Sequence, residues 1–179
     1  MKNIIILTCL ICVISCKSEI KSKENNEVIK EANVSKQYKK ELVVKINIEY
    51  LKNDKIWLFY TEDYAQDFFP VETALTKSIK GREGYQWITF EFPSGVFPKR
   101  IKIRFSNNKD QNSIKLNEIQ FSRDNKILKI EGERFVNYFN FSKFIYTLDG
   151  YELRLEMIDG VYDPNIVSSS QFDSELIKL

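Results

Sequence analysis

Three cysteines are the residues best suited to chemistry in this chain, and they lie close together at Cys9, Cys12 and Cys16. A thiolate can attack a substrate, bind a metal, form a disulfide or carry a lipid. The 179 residues include no histidine, so Ser-His-Asp and Cys-His catalysis, which need an imidazole as the base, are excluded. All three cysteines precede residue 17, which favours a role in processing over one in catalysis.

The cysteines are part of a short apolar segment at the start of the chain. Lys2 precedes an apolar run from Ile4 to Ile14. This run is too short to span a bilayer as a helix, and it has the length of the apolar part of a secretory signal. An ordinary signal peptide that happens to end in cysteine, or a short buried helix, remains the alternative.

The end of this run, Val13-Ile14-Ser15-Cys16, resembles the lipobox of bacterial prolipoproteins. The resemblance implies that residues 1–15 are a signal peptide removed after Ser15, and that Cys16 is acylated on its thiol. Several acyl chains together anchor a protein stably to a membrane, where one alone is marginal. The lipobox resemblance therefore implies a lipid-anchored protein of the cell envelope. Because Lys17 replaces the Asp linked to inner-membrane retention, the outer membrane is favoured.

Residues 16–40 are predicted to form a flexible tether that begins at the acylated cysteine. After Cys16 this stretch holds seven Lys, four Glu and a single aromatic residue, Tyr38. Such a composition buries too little apolar surface to offset chain entropy. A helix over 24–40, supported by the spacing of Glu27, Lys30 and Glu31, is the alternative.

Residues 41–179 are predicted to form an all-β domain. Leu42, Val44, Ile46, Ile48 and Tyr50 alternate with polar residues, which is typical of a half-buried strand. Seven more strands are expected, at 56–61, 86–92, 100–105, 114–121, 126–130, 135–141 and 151–157, the last with Tyr151, Leu153, Leu155 and Met157 on one face. About eight short strands separated by polar turns favour an antiparallel β-sandwich.

The order of these features resembles galactose-binding-like jelly-roll modules. An aromatic strand at 55–61, an aromatic loop at 64–69, the strand ending 87–92, the segment 97–105 and the strand 114–121 carry the resemblance. It implies binding of a glycan or another surface ligand. Some members of this family have purely structural roles, so the fold alone does not decide the function.

Sugar binding needs an exposed aromatic ring beside polar groups. The candidate aromatic residues are Trp57, Tyr60, Tyr64, Tyr85 and Trp87. Tyr60 and Tyr64 are favoured because they border the polar loop 61–67, whereas for the tryptophans a place in the core is the favoured alternative.

Three cations at every second position, Arg100, Lys102 and Arg104, lie on one face of a predicted strand. They could bind a sulfate, a phosphate or a uronate, or they could simply pair with Glu91, Glu152 or Glu156 on neighbouring strands. Arg104 is the candidate ligand-binding cation because it is nearest a polar loop.

No enzyme activity and no cofactor are predicted. Acidic residues are numerous, but the Glu-x-Asp-x-x-Glu pattern of jelly-roll glucanases does not occur. Asp159 and Asp163 could offer oxygen ligands to Ca²⁺, although no spacing resembles an EF-hand. With 27 basic and 25 acidic side chains, the chain lacks the basic excess of a nucleic-acid binder.

The predicted function is therefore that of a membrane-anchored lipoprotein whose β-sandwich binds a polysaccharide without catalysis. The alternative is a structural or protein-interaction lipoprotein whose partner is another envelope protein.

The lipobox predicts that Cys16→Ser abolishes labelling of the full-length protein by a radioactive fatty acid in growing bacteria, because the acylated thiol is lost. Cys9→Ser and Cys12→Ser serve as matched controls and should leave the labelling unchanged. Undiminished labelling of the Cys16→Ser variant would refute the assignment.

Overall fold

The computed structural model describes residues 41–66, 68–148 and 151–179. The predictions for the signal peptide (1–15), for Cys16 and for the tether (16–40) lie outside these residues. Within them the chain forms eleven strands, two short α-helices and one turn of 3-10 helix at Val71–Thr73. The strands are β1 (Val43–Tyr50), β2 (Asp54–Thr61), β3 (Leu75–Ile79), β4 (Arg82–Glu91), β5 (Arg100–Arg104), β6 (Ser113–Arg123), β7 (Lys126–Glu131), β8 (Phe139–Phe141), β9 (Ile145–Thr147), β10 (Glu152–Leu155) and β11 (Asn165–Ser168). The helices are α1 (Arg134–Tyr138) and α2 (Ser170–Leu176).

The strands make two antiparallel sheets packed face to face, which confirms the predicted β-sandwich. The first sheet has the order β4-β1-β6-β10-β9, and β7 pairs with the end of β6. The second sheet has the order β3-β2-β5-β11-β8. Each sheet therefore combines strands from distant parts of the chain.

Side-chain alternation builds the core between the sheets. In β1, the predicted inward residues Val44, Ile46, Ile48 and Tyr50 are fully buried, as is Leu42 just before the strand. The other long strands contribute in the same way, and one continuous apolar core results. Burial of this apolar surface is the main stabilising contribution to such a domain.

The C-terminal helix α2 closes part of this core. Ser169 caps the helix, because its side-chain oxygen accepts a hydrogen bond from the backbone N–H of Phe172. The Phe172 ring is completely buried, and its centroid lies 4.8 Å from that of Phe121 and 5.1 Å from that of Phe139. The cap thus directs an aromatic side chain into the sandwich.

Two of the predicted strands are corrected. Residues 135–138 are helical, because the chain turns at Gly132 and buries only Phe135 from this segment, and a strand begins at Phe139. The strand predicted over 151–157 is confined to β10. Tyr151 and Met157 lie outside it and are exposed. After Met157 the chain enters a turn at Asp159, whose φ is positive.

Three strands were not predicted. β3 is an edge strand of mostly exposed residues, whereas β9 and β11 are only three and four residues long. Short or polar strands carry little periodicity, so their sequences do not reveal them. The described helices are too short or too polar for any of them to cross a membrane.

Replacing Phe172 with alanine should lower the free energy of unfolding by about 3–5 kcal/mol, because a fully buried aromatic ring is lost. Urea denaturation measures the change. Phe68→Ala is the control: this ring is 64% exposed, so its loss should change stability by less than about 0.5 kcal/mol. Equal effects of the two substitutions would contradict the packing described for α2.

Candidate functional site

The outer face of the second sheet carries the candidate site. In β5, Ile101 and Ile103 are fully buried against the core, so Arg100, Lys102 and Arg104 point outward. In β2, Ile56 and Leu58 point inward and the half-buried rings of Trp57 and Phe59 point outward. Alternation in two paired strands thus places cations and aromatic rings side by side.

Strand register then matches each cation with a ring. Trp57 lies opposite Arg104, and Phe59 lies opposite Lys102. A third ring, Phe69, comes from the loop between β2 and β3. The distances from the cationic group to the ring centroid are 5.3 Å for Arg104 and Trp57, 5.8 Å for Lys102 and Phe59, and 5.7 Å for Arg100 and Phe69. These are cation–π distances.

The loop after β2 converts this face into a groove. Gln66 holds the loop through its carbonyl, which accepts a hydrogen bond from Arg100 Nη1 at 2.9 Å. Further along, the Thr73 hydroxyl donates to the Tyr60 carbonyl at 3.0 Å. The resulting groove has a volume of about 630 Å³. Its lining consists of Phe59, Phe68, Phe69, Val71, Arg100, Lys102, Arg104, Asp163 and Val167.

Arg104 is held firmly in this groove. Its Nε lies 3.0 Å from Asp163 Oδ1. Its Nη2 donates to the Tyr162 carbonyl at 3.1 Å and to Asn107 Oδ1 at 3.3 Å. These contacts fix the guanidinium plane beside Trp57, so that the cation and the ring form a rigid pair.

Lys102 is held less tightly. Its Nζ lies 3.5 Å from Asp163 Oδ2, at the outer limit of a hydrogen bond. The same Asp163 oxygen accepts a hydrogen bond from Asn165 Nδ2 at 3.0 Å. Asp163 is therefore satisfied by Arg104 and Asn165, and the ammonium group of Lys102 retains donors for another acceptor.

Arg100 lies next to a buried carboxyl group. Its Nε is 3.9 Å from Asp173 Oδ2, and the Asp173 side chain is only 8% exposed. Burial raises the pKa of Asp173, opposed by its hydrogen bond with Ser168 and by the charge of Arg100. The partner acids of the three cations are thus Asp163 and Asp173, rather than the predicted glutamates. Glu156, for example, pairs with Arg154.

The structure brings two of the predicted site residues together, Trp57 and Arg104. The prediction that Tyr60 is an exposed ligand-binding residue is wrong. Tyr60 lies an even number of residues after Ile56 and Leu58 in β2, so its side chain also points into the core and is only 8% exposed. Its ring centroid lies 5.0 Å from that of Phe92, and burial raises the pKa of its hydroxyl. A ring in this position has no free face for a sugar.

The other predicted aromatic residues lie elsewhere. Tyr64 is exposed on the loop after β2, where its ring centroid is 5.2 Å from Lys99 Nζ, but it does not line the groove. Trp87 and Tyr85 are exposed on β4, on the outer face of the first sheet. Trp87 lies opposite Asn47 of β1 and is separated from Trp57 by the core.

Phe59 is a site residue that the sequence did not single out, and Asp163 was predicted only as a possible Ca²⁺ ligand, not as a partner of these cations. Phe59 could have been found from alternation, because Trp57 and Phe59 share one parity in β2 while the aliphatic residues share the other. Asp163 precedes β11, a strand too short to be predicted. Its pairing with β5 is what brings the carboxylate to the groove.

The groove is suited to binding anions and polar rings. Among the described residues that line it, Asp163 is the single carboxylate, facing three cations. Asp163 forms an ion pair with Arg104 and accepts a hydrogen bond from the Asn165 side-chain amide, an environment unlike that of a Ca²⁺ ligand. No group of three or more Asp, Glu, Cys or His side chains in 41–66, 68–148 and 151–179 is placed to hold a metal ion.

Asp173→Asn should raise the melting temperature at about pH 7, because the folded protein then no longer buries an ionised carboxylate. A raised folded-state pKa means that folding favours the protonated form, so the wild type gains stability as the pH falls through that pKa. The difference in melting temperature between Asp173→Asn and the wild type should therefore decrease as the pH is lowered toward about 4. Differential scanning fluorimetry measures both effects.

The matched control is Glu175→Gln, at a partly exposed position of the same helix. Glu175→Gln should show no comparable, pH-dependent increase in melting temperature. A melting temperature of Asp173→Asn below that of the wild type at about pH 7 would show instead that pairing with Arg100 outweighs the cost of burial.

Comparison with known proteins yields no match to a family model, to a curated protein or to a solved structure. The resemblances to prolipoproteins and to galactose-binding-like modules therefore remain predictions, and functional inference rests on the groove itself.

Proposed function

We propose that this protein is a lipid-anchored component of the bacterial envelope whose β-sandwich binds a glycan without chemically changing it. The binding site is the groove on the outer face of the second sheet. The anchor is the acylated Cys16, which attaches the domain to the membrane, favoured to be the outer one, through the tether.

One observation carries the proposal: two half-buried aromatic rings of β2 lie directly opposite cationic hydrogen-bond donors of β5. Sugars expose apolar ring faces that stack on aromatic side chains, and hydroxyl groups that pair with charged or polar side chains. Trp57 and Phe59 offer the rings, and the cations beside them offer the donors. A groove of about 630 Å³ lies within the usual size range of ligand sites.

A binding role is favoured over hydrolysis. Glycosidases use two carboxyl groups at a set separation, one of them kept protonated. Asp163 is an ion-paired carboxylate beside Arg104, and Asp173 is buried behind Arg100. Neither arrangement supplies an acid and a base on opposite sides of a glycosidic bond.

A different surface supports a second candidate function, which is interaction with another envelope protein. A small apolar pocket of about 130 Å³ lies between α1 and the edge of the first sheet. Leu116, Phe135, Phe141 and Leu153 line it, and the exposed side chain of Val136 borders it. An apolar side chain of a partner protein could fill such a pocket.

The proposal predicts that full-length protein in an uncharged detergent binds at least one polysaccharide from a panel of neutral and acidic polymers. Trp57→Ala should weaken this binding about tenfold, because stacking on an aromatic ring contributes on the order of 1 kcal/mol or more. Affinity gel electrophoresis or isothermal titration calorimetry measures the change, and circular dichroism verifies folding.

Trp87→Ala is the matched control, since Trp87 is exposed on the opposite sheet. It should bind as the wild type does. Loss of binding in Trp87→Ala with retention in Trp57→Ala would move the site to the first sheet. Binding to no polysaccharide, together with co-purification of an envelope protein that Val136→Asp abolishes, would replace the proposal with the second candidate.

A further inference from the structure

We infer that the groove recognises an acidic polysaccharide, one whose sugars carry carboxylate or sulfate groups. This inference rests on the proposed glycan-binding function and narrows its ligand class. It follows from the number and placement of the charges in the groove.

The three cations form a regular row. Arg100, Lys102 and Arg104 occupy every second position of β5, so their Cα atoms lie about 7 Å apart along the strand. Arg100 is at one end beside the loop after β2, and Arg104 is at the other end beside Asn107. A linear chain of charged sugars lying along β5 would meet several cations in succession.

Charge on this face exceeds what the protein itself neutralises. Lys55 of β2 also faces outward, with its Nζ 5.8 Å from the Trp57 centroid. Among the described residues that line the groove or pair with its cations, and including Lys55, four cations face two carboxylates, Asp163 and the buried Asp173. The remaining positive charge favours an anionic ligand, and partial burial of the cations strengthens the attraction.

Lys102 is the cation best placed to bind the ligand. It is in the middle of the row, and its contact with Asp163 is the long one, at 3.5 Å. Arg104, by contrast, is committed to Asp163, to the Tyr162 carbonyl and to Trp57. A ligand carboxylate can therefore accept a hydrogen bond from the Lys102 ammonium group without breaking the contacts that hold Arg104.

The depth of the groove favours a single polymer chain over the surface of a membrane. The cation side chains are only 22–27% exposed. On the loop beside them, Phe68 and Val71 project farther, at 64% and 74% exposed. A flat layer of lipid headgroups would meet this loop first, whereas a polysaccharide chain could enter the groove.

The test compares polymers that differ in charge alone, using the full-length protein in an uncharged detergent. Polygalacturonate is paired with its methyl ester, and dextran sulfate with dextran. At least one acidic polymer should bind at least tenfold more tightly than its neutral counterpart, and added salt should weaken that binding.

Two variants with opposite expected effects probe the groove. Lys102→Gln should weaken binding of the acidic polymer about tenfold, because one charge-assisted contact is lost. Asp163→Asn should tighten it by about two- to fivefold, because a competing carboxylate is removed. Lys45→Gln, at an exposed position on the outer face of the first sheet, makes the same change in net charge and should have no effect.

The outcomes distinguish a failure of the acidic-ligand inference alone from a failure of the proposed glycan binding. If neutral polymers bind as well as acidic ones and Lys102→Gln has no effect, the inference fails while the proposed glycan binding stands. If no polymer binds, both fail. If only vesicles containing an anionic phospholipid bind, and they do so through Lys102, the groove serves lipid headgroups and both proposals are overturned.

Discussion

The pairing of β2 with β5 in a single register is the constraint on which the rest of the second sheet depends. It sets Trp57 opposite Arg104 and Phe59 opposite Lys102 on the outer face, while Leu58 and Ile103 meet on the inner face. A shift by one residue would put arginine and lysine into the core and isoleucine into solvent. The burial of the aliphatic side chains therefore fixes the geometry of the cations.

A second strand pairing completes the site. β11 lies on the other side of β5, and the chain just before it delivers Asp163 to Lys102 and Arg104. The helix that follows β11 delivers Asp173 to Arg100 and inserts Phe172 into the core. Stability and charge arrangement are thus coupled at the C-terminal end of the chain, because the same segment provides a core side chain and both carboxylates.

The sequence predicts the strands of the β-sandwich well where apolar and polar residues alternate over many positions. β1 shows this clearly: its alternation identifies the buried apolar residues correctly, from Val44 to Tyr50. Prediction fails where an element is too short to show a period. Residues 135–138 form one helical turn, and β11 has four residues, so local turns and tertiary pairing decide their structure.

The candidate site was predictable only in part, because residue type and alternation are local features of the sequence and strand pairing is not. Trp57 and Arg104 were selected from their residue types, and alternation places the cations of β5 on one face. That they share a surface depends on which strands pair, a long-range property that no local pattern reveals. Tyr60 is a case in which the local pattern was misread. Its position next to a polar loop suggested an exposed side chain, but alternation along β2 places the side chain on the buried face.

The two tryptophans of the chain lie on opposite sheets, and this allows a direct test of where the ligand binds. In a Trp87→Phe variant the fluorescence comes from Trp57 alone, and in a Trp57→Phe variant from Trp87 alone. Titration with an oligogalacturonate should change the emission of Trp57 with saturable dependence on concentration, and should leave that of Trp87 constant. A response from Trp87 alone would contradict the placement of the site on β2 and β5.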